Sequence, residues 1–222
     1  MEIPKNIFTH WHDKELPASM QEIVDEIRAT NPEFTLTVYD NAMCRAFIRD
    51  NFEPEVLAAY DGLVPESYKS DLWRFCALYK CGGIYMDIKF KIVNGFNLAR
   101  LLDSEKFCSD VPSGFHDAFG VYTGFIVCKS GNTIMKKCIY QIVDNVKTKF
   151  YGFNGLYPTG PGLLTTFFSK EDTFNLAYDA RTITYKSEPV VSVYKDYRLD
   201  QALFGSQIDH YSIMWHKRTI YA

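Results

Sequence analysis

In the stretch SDLWRFCALYKCGGIYMDIKF, Ser70 to Phe90, four side chains have the types and spacing to hold a polar ligand: Asp71, Arg74, Asp87 and Lys89. Asp71 and Arg74 are three apart. On a helix they share a face, and they can either pair with each other or both reach a ligand. Asp87 and Lys89 are two apart, which on a strand puts them on one face. Each pair also has an ordinary reading, a surface ion pair for the first and a solvated strand face for the second. Spacing alone does not separate these readings, but both pairs belong to one helix–strand unit and converge on one strand end.

The elements that must position these groups follow from periodicity. Tyr68, Leu72, Phe75 and Tyr79 recur at helical spacing and predict an apolar stripe on a helix ending at Lys80. Gly82-Gly83 then supplies a left-handed helix end and a tight turn. In the strand that follows, Ile84, Met86, Ile88 and Phe90 point one way and Tyr85, Asp87 and Lys89 the other. Upstream, Ile3–Trp11 reads as a buried strand, Ser19-Met20-Gln21-Glu22 as a capping box opening a helix that stops near Asn31-Pro32, and Phe34–Tyr39 as a second strand. A helix from about Asn41 to Asn51 completes a β-α-β-α order. Such an order predicts parallel pairing, with ligands beyond the C-terminal strand ends. Further on, a strand is predicted over Val121–Lys129, a helix over Asn132–Lys147, a shaped loop over Tyr151–Gly162, and strands over Arg181–Lys186 and Pro189–Tyr194.

The 222 residues, 47% of them hydrophobic, predict one domain over 1–222 with a substantial core. A net charge of −3 without a basic block argues against nucleic acid as a partner. None of the six Cys forms a Cys-x-x-Cys pair, and Cys44, Cys76, Cys128 and Cys138 fall in apolar patterns, so they read as reduced core thiols. With no leader-like start and no apolar run of bilayer length, the expectation is a soluble, cytoplasmic protein without a transmembrane segment.

The same motifs carry a family resemblance. SDLWRFCALYKCGGIYMDIKF resembles the S-D-x-x-R…Y-x-x-G-G-I-Y-x-D-x-D signature of glycosyltransferase family 32, enzymes with a DXD sugar region that include yeast-type mannosyltransferases and bacterial capsule enzymes. IPKNIFTHWH is similar to that family's I-P-K-x-I-H-x-x-W start, NPEFTLTVYD to its N-P-x-[FY]…W-D segment, YPTGPGLLT to its T-G-P loop, and HYSIMW to its closing His…Trp motif. The resemblance implies an α/β fold of the GT-A, Rossmann-like type, with a mostly parallel central sheet flanked by helices. It implies a UDP- or GDP-sugar donor, a glycan or small-molecule acceptor, and hexose transfer with retention. Trp11 would stack on the nucleobase, Asp71 would accept hydrogen bonds from donor-sugar hydroxyls, and Arg74 would hold sugar or phosphate oxygens. Asp87 would be the first acid of the Asp-x-Asp motif, near ribose and metal. Gly160 and Pro161 would let backbone approach the sugar, and His210, Trp215 and His216 would lie over the diphosphate.

At one position the chain departs from the pattern. Lys89 stands where the family has its second acid, the metal ligand. Mn²⁺ and Mg²⁺ take oxygen ligands, whereas an ammonium offers donors only and repels the ion. In one explanation Lys89 does the metal's work and is catalytic together with Asp87; in the other the protein binds nucleotide-sugar or glycan without transferring it. The sequence identifies no catalytic base, with Asp117 as the one candidate to check.

Overall fold

The computed structural model describes residues 2–110, 119–179 and 181–222. Asp117 lies outside the described residues. The first half follows the predicted order: β1 (Asn6–His10), α1 (Ala18–Thr30), β2 (Thr35–Tyr39), α2 (Asn41–Asn51), α3 (Pro54–Gly62), α4 (Glu66–Cys81) and β3 (Gly83–Met86). β4 (Phe90–Ile92), a 3₁₀ turn at Leu98–Leu101, β5 (Lys106–Ser109), β6 (Val121–Cys128), α5 (Thr133–Lys147) and α6 (Pro161–Thr165) follow. The chain continues through β7 (Leu176–Tyr178), β8 (Thr182–Tyr185), β9 (Glu188–Val193), α7 (Tyr197–Phe204) and α8 (Tyr211–Lys217).

One sheet in the order β2-β1-β3-β6-β5-β7-β8-β9-β4 organises the chain. The α/β class with flanking helices is as expected, but the sheet is mixed rather than mostly parallel. β1 runs parallel to β2 and β3, whereas β6 runs antiparallel to β3 and β5, and β7, β8, β9 and β4 join antiparallel to one another. β5 also runs parallel to β7, and in each parallel pair the intervening chain carries helices, as the long crossover requires.

The central strands are buried on both faces, and their alternation divides the core. Ile7, Ile84, Met86, Phe125 and Val127 face α1, while Phe8, Tyr85, Ile126 and Cys128 face α2 to α5. α4 therefore has no solvated face over most of its length. Ser70 to Leu78 are all buried, so the predicted single apolar stripe is a helix enclosed by the sheet, α2, α3 and α5. Burial on this scale contributes about 1.5–3 kcal/mol for a side chain such as Leu72, and it forces Asp71 and Arg74 into the interior.

The α4–β3 turn needs both glycines. Gly82 has φ 65° with ψ 170°, a positive-φ extended conformation rather than the left-handed helical cap expected. A Cβ there would meet the Ser130 nitrogen at 2.5 Å, and one on Gly83 (φ 122°) would meet the Asn6 carbonyl oxygen at 2.6 Å. β3 then stops at Met86. Asp87 lies past the strand end, its N–H donating to the Gly124 carbonyl at 2.8 Å, and Ile88-Lys89 form a turn closed by Phe90 N–H to the Asp87 carbonyl at 3.1 Å.

The capping box is not formed. Pro17 occupies the N-cap of α1, and Ser19 Oγ instead donates to Asp200 Oδ2 at 2.5 Å, where Tyr194 Oη also donates at 2.7 Å. Asp200 is the buried residue of α7, whose outward side carries Leu199 and Leu203. The polar contact anchors α7 against α1. Ser19→Ala is expected to cost about 1.5–3 kcal/mol in urea unfolding, the range for a hydrogen bond to a charged group. An unchanged midpoint would mean that Tyr194 alone holds Asp200. All six cysteines are free, with Cys44, Cys76, Cys128 and Cys138 buried.

Candidate active site

The four charged residues form a chain of alternating sign. Asp71 Oδ1 lies 3.1 Å from Arg74 Nη2, Arg74 Nη1 lies 3.6 Å from Asp87 Oδ1, and Asp87 Oδ2 lies 3.0 Å from Lys89 Nζ. The surface-pair reading fails for the first of these, since both side chains are about nine-tenths buried. Arg74 also donates to the Thr123 carbonyl at 2.9 Å and lies over the Tyr85 ring at 4.4 Å. Thr159 Oγ donates to Asp71 Oδ2 at 2.8 Å.

Asp87 is held by two tyrosines as well as by the two cations. Tyr85 Oη donates to its Oδ1 at 3.0 Å and Tyr122 Oη to its Oδ2 at 2.9 Å. Gly124 makes room for this arrangement, because a Cβ there would collide with both Asp87 Oδ2 and the Tyr122 hydroxyl. Lys89 lies behind Asp87, its ammonium 5.3 Å from the Phe90 and Tyr122 ring centres and 5.8 Å from that of Tyr178. Burial works against the Asp87 carboxylate, but Lys89 and then Arg74 outweigh it and hold its pKa below the usual range. For Asp71 burial prevails over Arg74 and Thr159, and its pKa is raised.

In front of this chain opens a cleft of about 460 Å³. His10 and Trp11 from the end of β1, Ser70 and Arg74 from α4, and Asp87 form one side. Tyr197 and Arg198 of α7 and His210 and Tyr211 at the start of α8 form the other. The location, beyond the C-terminal ends of β1 and β3, is the one the parallel half of the sheet predicts.

The structure brings Trp11, Arg74, Asp87 and His210 to the cleft wall. Trp11 is only 7% exposed and packs beside His12. His210 caps α8 through Ser212, and burial lowers its pKa. Asp71 and Lys89 sit behind the wall, each reaching the cleft through its partner. Gly160 and Pro161 lie further back, where a Cβ on Gly160 would come within 3.2 Å of Asp71 Oδ2, so this loop backs the carboxylate rather than opening onto the cleft. Trp215 and His216 are not at the cleft. The Trp215 indole N–H donates to the Tyr151 carbonyl at 2.7 Å, and His216 is exposed beside it.

His10, Tyr85, Tyr122, Gly124, Thr159 and Arg198 were not singled out from the sequence. His10 and Tyr85 alternate with neighbours already read as strand, which is the one signal that pointed at them. Arg198 bonds Gln201 at 2.8 Å and, among the described residues, has no carboxylate within ion-pair distance. It is thus a cation of the cleft open to an anionic ligand.

Burial, aided by Arg74 and His12 and opposed by the Asn41 hydrogen bond, lowers the His10 pKa from 6.5 to about 4. A depressed folded-state pKa stabilises the fold above 6.5, and this contribution is lost as the pH falls through about 4. His10→Phe is therefore expected to flatten the acid limb of a stability–pH curve between those values. An unchanged limb would show that the imidazole titrates freely.

Residues 17–108 match the family described as glycosyltransferase sugar-binding region containing DXD motif, a span that includes Asp71, Arg74, Asp87 and Lys89. The match covers less than half of the chain, and over it the chain is similar to glycosyltransferases. An uncharacterized glycosyltransferase of Acanthamoeba polyphaga mimivirus is 32% identical over 88 residues, 39% of this chain and 35% of that protein. Inositol phosphoceramide mannosyltransferase 3 of Schizosaccharomyces pombe is 29% identical over 86 residues, 39% of this chain and 24% of that protein. The chain thus matches about a third or less of the length of these relatives. Among solved structures, PaToxG glycosyltransferase superposes with a TM-score of 0.54 at 18% identity, covering 74% of this chain and 68% of that one, and supports the GT-A type of fold. No helix among the described residues is long and apolar enough to cross a membrane.

Proposed function

We propose that the protein is a retaining glycosyltransferase that moves a hexose from a UDP- or GDP-sugar to a hydroxyl of a glycan or small molecule, and that it does so without a divalent cation. The observation that carries this reading is the Asp71–Arg74–Asp87–Lys89 chain facing a cleft at the strand ends. Trp11 offers an indole at the cleft for the base, and Arg74 and Arg198 offer guanidinium forks suited to phosphate oxygens.

The donor set argues against a metal at Asp87. Both carboxylate oxygens already accept from tyrosine hydroxyls, and an ammonium occupies the second acid position. Among the described residues no three His, Cys, Asp or Glu side chains are grouped to hold an ion. A fixed cation neutralises the charge that develops on the leaving diphosphate, the task a metal performs in other sites. In the reaction the bond between the anomeric carbon and the phosphate oxygen breaks, and a bond from that carbon to the acceptor oxygen forms on the same face. The acceptor proton passes to the departing diphosphate, so no side-chain base is needed.

The test is nucleotide release from a panel of UDP- and GDP-sugars, first without an acceptor, when slow hydrolysis should be seen. Asp87→Asn should lower it. A protein that binds these donors and never turns them over would instead be a binding module, the reading that the Asp-x-Lys sequence also allows.

A further inference from the structure

His10 lines the cleft next to Trp11, and its hydrogen-bonding state is fixed by Asn41 behind it and, through Asn41, by Glu66, which also lines the cleft. Asn41 Nδ2 donates to Glu66 Oε1 at 3.2 Å. A carboxylate only accepts, so this contact sets which way the Asn41 amide faces. Its Oδ1 is thereby turned to His10 Nε2, at 2.9 Å. An amide oxygen also only accepts, so Nε2 carries the imidazole proton, and Nδ1 is left with a lone pair. Burial keeps the ring neutral, with Arg74 and His12 opposing its protonation and Asp87 favouring it. Among the described residues Nδ1 has no protein partner, and it is not one of the buried polar atoms lacking a hydrogen bond. The cleft therefore presents, beside an indole, a ring nitrogen that accepts a hydrogen bond and cannot donate one.

We propose that His10 selects the base of the bound nucleotide, Nδ1 accepting a hydrogen bond from a ring N–H, so that uracil or guanine is taken and cytosine or adenine is refused. The inference rests on the nucleotide-sugar reading and on Trp11 as the base platform. Uracil and guanine carry a protonated ring nitrogen on their pairing edge. Cytosine and adenine carry a lone pair at the equivalent atom, which would face the lone pair of Nδ1. A site built to bond a donor group rejects an analogue lacking it far more strongly than a site built on apolar contact does.

Binding of UDP, GDP, CDP and ADP is measured by calorimetry on the wild-type chain, on His10→Phe, and on Asn41→Asp as the variant that leaves the imidazole in place. In the wild type UDP or GDP should bind at least about tenfold more tightly than CDP and ADP, roughly 1.4 kcal/mol. His10→Phe should bind the four within about threefold of one another. Asn41→Asp loses the donor to Glu66 and sets a carboxylate against Nε2, which favours the imidazolium and turns Nδ1 into a donor, so this variant should lose the preference for UDP or GDP. Nitrogen-15 spectra of the wild type should show the Nε2–H tautomer, with the Nδ1 resonance moving on addition of UDP or GDP. Wild-type binding of CDP as tight as UDP, an undiminished preference in His10→Phe, or an Nδ1–H tautomer would each overturn the assignment to His10 while leaving the transferase reading in place. Failure of the wild type to bind any of the four would overturn the transferase reading itself.

Discussion

Arg74→Ala should destabilise the protein by about 3–5 kcal/mol and abolish nucleotide release. This is the range for removing one partner of a buried ion pair, where the cost comes from the charge left behind. Here two carboxylates are left behind. Asp71 would keep only Thr159, and the Thr123 carbonyl would lose its donor as well. Arg74→Lys should restore the charge without the stability. An ammonium cannot reach Asp71, Asp87 and Thr123 from one plane as the guanidinium does, and it forgoes the flat contact with Tyr85. Urea unfolding of both variants measures this. A loss below about 1 kcal/mol for Arg74→Ala, on the scale of an exposed pair, would mean that the charge chain does not hold the interior together.

Lys89→Ala should leave most of the stability and remove most of the activity. The side chain is about one-fifth exposed and lies at the end of the charge chain, so its loss uncovers a single carboxylate. Without it Asp87 keeps Tyr85, Tyr122 and Arg74, but the cation that best offsets its burial is gone and its pKa should climb. Nucleotide release is expected to fall at least about tenfold, the equivalent of one pKa unit at Asp87, because Lys89 acts on the cleft through that carboxylate. Lys89→Asp recreates the Asp-x-Asp pattern and should show release only when Mn²⁺ is added. Turnover of Lys89→Ala equal to wild type would remove Lys89 from the mechanism.

How much of this was legible depended on where the determining contacts lie. β1, α2, β3 and α5 were readable because apolar periodicity is a local property and Gly82-Gly83 punctuates it. Asp71, Arg74 and Asp87 were readable because one helix and one strand end carry them. The direction of β6 was not. It pairs antiparallel to β3, with Met86 opposite Phe125, and that register alone brings Gly124 and Tyr122 to Asp87. The Ser19–Asp200 contact spans most of the chain and overrides a local capping signal. α7 hides an Asp and exposes leucines, the reverse of the pattern that sequence periodicity detects. The tautomer of His10 depends on Asn41 and Glu66, which no spacing connects to it.

The Lys89 ammonium beside Asp87 is the centre of the account, and the most direct test is donor turnover with and without metal. Released nucleotide is measured for wild-type protein with the UDP- or GDP-sugar it prefers, in EDTA and again in Mn²⁺. Equal rates in the two are expected if Lys89 supplies the positive charge. Release that appears only with Mn²⁺ would contradict it, because Asp87 would then be giving up a tyrosine or Lys89 to bind the ion.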